Sequence, residues 1–201
     1  ILLHVFFGAF YGAGENEDYS VFLTEATNNI YLSKFLLLAG NTSMIFLLMS
    51  IILISTSYAN NSDNPLFGKI AGLLFLILLT GGFFSFAMEL RALDYFNENK
   101  ADEALAVWSL IQGSGSGPFE LIQGLGIIFF GKTIRDTKNK IQPNLLLNII
   151  SFGMLIFGII QIINAFGINA LGILGVIGWF GPWILFIAFG VGLLRSKSSD
   201  K

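Results

Sequence analysis

Cysteine is absent from these 201 residues, and histidine occurs once, as His4. Without thiols there can be no disulfide, thiolate metal site, iron–sulfur cluster or thiol nucleophile. A haem or di-iron centre in a helical bundle draws on two or more histidines, or on carboxylates with Glu-x-x-His spacing. Neither pattern occurs, so no cofactor and no metal is expected, and His4 reads as an interhelical hydrogen-bonding group rather than a ligand. Charge is scarce as well. Asp, Glu, Lys and Arg make up 12% of the chain, against about 25% in soluble domains. The net charge of −2 provides no bulk attraction to nucleic acid, and no nucleic-acid partner is expected. No phosphate loop, zinc signature or calcium loop is found.

What the chain has instead is apolar length. It is 54% hydrophobic, with a mean hydropathy of +0.74 and several apolar runs near the ~20 residues that a transmembrane helix needs. The expectation is an all-α fold: a polytopic transmembrane helical bundle forming a single integral membrane domain. Six segments are read, at about 1–13, 30–57, 66–93, 118–134, 143–166 and 171–194, with an outer excursion over 94–117. The first run is apolar but too short to span. It reads as the truncated remainder of a helix, with a signal-peptide core as the alternative; that alternative lacks a basic start and a small-residue cleavage site.

Small residues suggest where helices meet. Gly8 and Gly12, and again Gly68 and Gly72, have the spacing that lets backbones approach. Gly81-Gly82 marks a close contact or a soft bend. Gly172, Gly175, Gly178 and Gly181 wind round the sixth segment as a packing surface, and Gly181-Pro182 predicts a kink flanked by Trp179 and Trp183. Asn41-Thr42-Ser43, inside the second segment, is suited to hydrogen bonding across helices. Within the excursion, Ala101 to Gln112 predicts a short helix. Leu105, Trp108 and Ile111 or Gln112 share one face, while Asp102, Glu103 and Ala106 point elsewhere. Pro118 is a good first residue for the fourth segment.

Charge asymmetry sets an orientation. The turns after segments two and four and the C-terminal tail hold Lys69, Lys132, Arg135, Lys138, Lys140, Arg195, Lys197 and Lys201, eight of the eleven basic residues. The opposite loops hold Glu15, Glu17, Asp18, Glu25, Asp94, Glu98, Asp102 and Glu103. The positive-inside rule then puts the C-terminus in the cytoplasm and the excursion outside.

Three stretches carry a likeness. Glu25-Ala-Thr-Asn-Asn-Ile30, Ala104-Leu105-Ala106 and Ile127-Ile-Phe-Phe-Gly131 resemble, in order and spacing, a domain-of-unknown-function family of small six-helix bacterial membrane proteins. The resemblance covers most of the chain. It implies six helices and a membrane location, and it implies no activity; a bacterial inner (cytoplasmic) membrane is the expected location. A histidine is common in that family shortly before the fourth segment. This chain has Gly113-Ser-Gly-Ser-Gly-Pro118 there, so no site is carried over at that point.

The polar groups inside the segments collect toward the outer side. Lys34 lies about one turn into segment two, Glu89 and Arg91 about one turn below the end of segment three, and Glu120 and Gln123 open segment four. Gln161 and Asn164 close segment five. Ionisable groups in a span cost about 2.5–3.5 kcal/mol near its centre, so they pair or face a cavity. Ion pairing among Lys34, Glu89, Arg91 and Glu120 is expected, and the five residues Lys34, Glu89, Arg91, Glu120 and Gln123 form the candidate polar cluster. A serine-hydrolase reading of Gly113 to Gly117 fails, because neither Ser114 nor Ser116 has the glycines two residues before and after that a nucleophile elbow requires. That run reads as a flexible hinge. No catalytic constellation is present and no enzyme is expected. A structural or accessory membrane subunit is the first reading. Its partners would be the lipid bilayer and other membrane subunits or further copies of the chain. A small-solute or ion channel or transporter using the outer polar cluster is the alternative.

The topology is directly testable in a cysteine-free chain. Asp136→Cys and Glu98→Cys, introduced singly, are expected to react with an impermeant thiol reagent from opposite sides of sealed vesicles. Labelling of both from one side would overturn the orientation.

Overall fold

A computed structural model describes residues 27–62, 64–115, 118–137, 145–166 and 181–191. Every regular element among them is helical: α1 Ile30–Asn61, α2 Pro65–Asn97, α3 Ala101–Gly115, α4 Pro118–Thr137, α5 Leu145–Ala165 and α6 Gly181–Val191. Three of these, α1, α2 and α5, are long and apolar enough to cross a membrane. With 32 and 33 residues, α1 and α2 extend for about 48–50 Å at 1.5 Å per residue, more than the ~30 Å hydrocarbon thickness. Both outrun the boundaries expected from hydropathy, α1 reaching Asn61 rather than 57 and α2 reaching Asn97 rather than 93. Although α4 begins at Pro118 as expected, it bears Glu120, Gln123, Lys132, Arg135 and Asp136 within 20 residues. It is not among the helices apolar enough to span. The first segment with His4, Gly8 and Gly12, the acidic residues Glu15 to Glu25, the basic residues Lys138 and Lys140, Gly172 to Gly178, Trp179 and the tail from Arg195 lie outside the described residues.

Local chemistry sets the helix ends. Asn64 accepts the Leu66 amide at 3.2 Å, with Pro65 at the first helical position, where its missing N–H costs nothing. At the other end of α2, Asn99 has φ 61°. Lys100 N–H donates to Tyr95 O at 2.9 Å and Asn99 N–H to Phe96 O at 3.1 Å. That pair of bonds, six-to-one and five-to-two round a left-handed residue, is a Schellman cap with asparagine in place of glycine. Lys100 O then accepts the Ala104 amide at 3.1 Å, so α3 starts at once. The excursion is therefore helix, a tight turn and helix again. The run read as a flexible hinge is helical through Gly115, with 116 and 117 outside the described residues.

The chain divides into two units, Ile1–Leu48 with Leu79–Gly115, and Met49–Leu78 with Ser116–Lys201. In the first, α3 lays Ala104, Leu105 and Trp108 against Leu37 of α1 and Leu93 of α2, with Phe86, Leu90 and Phe96 around them. Asp102, Glu103 and Ala106 are exposed, the division of faces that the helical periodicity predicts.

Glycine seams and a ring cluster organise the second unit. A Cβ added at Gly68 would lie 2.7 Å from both Ala59 Cβ and Ser55 O, so α2 meets α1 there through its backbone. Likewise, Gly124 of α4 and Gly158 of α5 approach so closely that a Cβ on either would stand 2.7 Å from the other's carbonyl oxygen. One heptad along, Gly131 fits beside Met154 and Ser151, which makes α4 and α5 antiparallel. Phe67 of α2 stacks on Phe129 of α4 at 5.8 Å. From α6, Phe186 meets Phe75 edge-on at 5.9 Å and Phe130 at 5.1 Å, and Phe189 meets Phe130 at 5.8 Å and Tyr58 at 5.6 Å. Such offset and edge-on pairs are worth about 0.5–1.5 kcal/mol each beyond area burial. Trp183 is buried in the same cluster, its ring 6.0 Å from Phe186. Gly181 and Pro182 are buried and helical, and the segment before them, on which the expected kink turns, lies outside the described residues. Of the Gly81-Gly82 pair, Gly82 makes no close contact among the described residues: a Cβ there would meet nothing within 4 Å.

These seams make a paired prediction. Gly158→Ala would drive a methyl to 2.5 Å from Ile128 Cγ1 and 2.7 Å from Gly124 O. Backbone cannot turn aside, so a loss of about 1–3 kcal/mol is expected, read as a lowered thermal midpoint in detergent. Gly82→Ala should leave the midpoint unchanged or raise it slightly, since alanine is the better helix former. Equal midpoints for the two variants would refute the α4–α5 approach.

Candidate functional site

Antiparallel pairing of α1 and α2 in the first unit brings the start of one beside the end of the other. Lys34, four residues into α1, meets Asp94, three residues before the end of α2, as an ion pair with both side chains a little over a third exposed. Two turns deeper, about 10 Å along the axis, Asn41 lies opposite Glu89. Its Nδ2 donates to Leu37 O of its own helix at 3.0 Å and reaches Glu89 Oε2 at 3.5 Å. Arg91 places its guanidinium 4.0 Å from the centroid of the Tyr95 ring, four residues on and on the same helix face.

This arrangement corrects the expected ion pairing. Lys34 pairs with Asp94 and not with Glu89, and Arg91 stacks on an aromatic ring. Among the described residues Glu89 has an amide, Asn41, and not a cation as its partner. The antiparallel register accounts for it, since the residue opposite Lys34 is one turn nearer the end of α2 than Glu89. Glu120 and Gln123 belong to the second unit. Glu120 is half-buried in the first turn of α4; Gln123 is buried, and its Nε2 has no hydrogen-bond partner among the described residues. On α5, Gln161 is fully buried and Asn164 half-buried.

At the α2–α3 turn, Lys100 Nζ donates to Glu98 Oε2 at 2.6 Å. The hydrogen bond and charge of Lys100 hold the Glu98 carboxyl below its ordinary range, and Glu98 in turn raises the Lys100 ammonium. The pair is therefore charged on both sides at neutral pH. What it contributes fades as acid protonates Glu98 below its usual range, and as alkali deprotonates Lys100 above its own.

Asp94, Asn41 and Tyr95 are the partners that residue-by-residue reading misses. Arg91 and Tyr95 at i and i+4 had a usable spacing signal; Asp94 and Asn41 had none without the register. Asn41 does reach across to α2, as expected of its triplet, but the neighbouring Ser43 hydroxyl donates to Ala39 O of its own helix at 2.8 Å. No group of three or more His, Cys, Asp or Glu able to hold a metal occurs among the described residues. No protein-family model, curated protein or solved structure matches the chain.

A double-mutant cycle on Lys34→Met and Asp94→Asn measures the pair's setting. Exposure of more than a third on each side implies a coupling below about 1 kcal/mol. A coupling of several kcal/mol would instead require a water-free environment around it.

Proposed function

We propose that this protein is a structural or accessory membrane subunit: six transmembrane segments in a bacterial inner membrane, C-terminus in the cytoplasm, packing against other membrane proteins or copies of itself. What supports it most is how the polar side chains of the first unit are used. Lys34 is held by Asp94, Arg91 by the Tyr95 ring, Lys100 by Glu98, and Glu89 by Asn41. The Lys34–Asp94 and Asn41–Glu89 contacts tie α1 to α2, and groups engaged in this way are poor candidates for turnover. Outward faces are apolar in turn. Leu66, Leu73, Ile77 and Phe84 form one exposed stripe on α2; Leu145, Ile149, Phe152, Ile156 and Ile159 form another on α5. Soluble proteins rarely leave such patches in water. The likeness to the six-helix family points the same way for location and helix number.

A second reading, transport of a small solute or ion, rests on Glu89, an ionisable group inside the α2 span with an amide as its partner. Size-exclusion chromatography with light scattering, after mild-detergent extraction from the native membrane, separates the two. The accessory reading expects a particle larger than one chain; a lone monomer would remove it. The transport reading expects Glu89→Gln to abolish flux in proteoliposomes, and undiminished flux would remove that one.

A further inference from the structure

We propose that the cleft between the end of α4 and the start of α5 holds the headgroup of an anionic phospholipid. The cleft has a volume of about 270 Å³ and is lined by Arg135 of α4 and by Asn148, Ser151, Phe152 and Leu155 of α5. Close approach at Gly131, whose added Cβ would touch Met154 Cβ at 2.8 Å and Ser151 O at 3.0 Å, fixes the two helices beside it. The lining changes character along its length. Arg135 lies two residues before the end of α4 and Asn148 three after the start of α5; Phe152 and Leu155 follow one and two turns farther along α5. The cleft is thus polar at the helix ends and apolar along the helix.

A phospholipid has the same gradient. Its phosphodiester matches a guanidinium, whose planar fork bonds two phosphate oxygens at once. Arg135 is exposed and has no ion-pair partner among the described residues. Its neighbour Lys132 is engaged elsewhere, with Nζ 4.9 Å from the centroid of the Phe67 ring. Ser151 lies buried at the side of the cleft where a glycerol backbone would rest, its hydroxyl donating to Asn148 O at 3.1 Å. Beyond it, Phe152 is 63% exposed and Ile156 43% exposed, a surface for an acyl chain and without use to a free phosphate. This inference rests on the membrane reading proposed above, which puts this end of α4 and α5 on the cytoplasmic side, where basic pockets between membrane helices bind anionic headgroups.

The full chain, purified in an uncharged detergent, is titrated with dihexanoyl phosphatidylglycerol, dihexanoyl phosphatidylcholine and inorganic phosphate. Phosphatidylglycerol should bind at least about tenfold tighter than phosphatidylcholine, weaken as salt rises, and resist displacement by inorganic phosphate. Arg135→Gln should lower its affinity about tenfold without moving the thermal midpoint. Lys69→Gln, an exposed cation outside the cleft, should leave it unchanged. Equal binding of the two lipids, displacement by phosphate at matching concentration, no effect of Arg135→Gln, or an equal loss with Lys69→Gln would each overturn the proposal. Should Arg135→Gln not fold, Leu155→Trp fills the apolar end of the cleft. Lost phosphatidylglycerol binding in that variant supports the site, and retained binding overturns it.

Discussion

Where α4 meets α5 at Gly124 and Gly158, a hydrogen atom is all that stands between two backbones. Each glycine has the other's carbonyl oxygen where its own Cβ would be. On the membrane reading proposed above, burying one apolar helix against another brings no hydrophobic gain, so association depends on dispersion contacts, and these fall away steeply with distance. Small residues are what allow the contact at all. The same device recurs at Gly68 against Ala59 and at Gly131 beside Ser151. With those separations set by glycine, the large rings of Phe75, Phe130, Phe186 and Phe189 can fill the space between helices without strain. Small residues at the seams and phenylalanines in the gaps are two halves of one packing solution.

A second constraint concerns polar side chains in the helices. A hydroxyl in a dry environment must find an acceptor, and the nearest carbonyl is one turn back. Ser55 donates to Ile51 O at 2.7 Å, Thr133 to Phe129 O at 2.8 Å and Thr137 to Thr133 O at 2.7 Å. Each leaves the helix neutral outside and demands nothing of its neighbours. Charged groups cannot be hidden in this way. Where α1 begins and α2 ends, Lys34 takes Asp94 from the opposite helix and Arg91 takes the Tyr95 ring one turn along its own.

The three long apolar helices, the two-faced α3 and the Gly68–Gly72 contact were all legible in sequence, because each rests on periodicity or on run length within one segment. The end of α2 was not. Hydropathy drops at Leu93, yet the helix runs on to Asn97, because a left-handed Asn99 and the Tyr95 and Phe96 carbonyls supply a cap that has no apolar signature. Nor was the partner of Lys34 legible. Glu89, Asp94 and Glu120 all lie within a few turns of it by counting, and depth alone cannot choose among them. Register chooses, and register is set by the seam between helices. Gly82 makes the converse point: its place in a glycine pair suggests a contact, but among the described residues a Cβ there would meet nothing within 4 Å.

Position along a helix also decides what a cation does in this fold. Lys34 and Arg91 lie on the paired α1 and α2, opposite a carboxylate or on the face of a tyrosine, and they spend their charge there. Lys132, on the face of α4 turned to α2, spends its charge on the Phe67 ring. Three residues on, near the end of the same helix, Arg135 lies about 60° round the axis from Lys132 and lines the cleft beside α5. One step of helical phase separates a cation over the Phe67 ring from one that lines the cleft and has no ion-pair partner among the described residues.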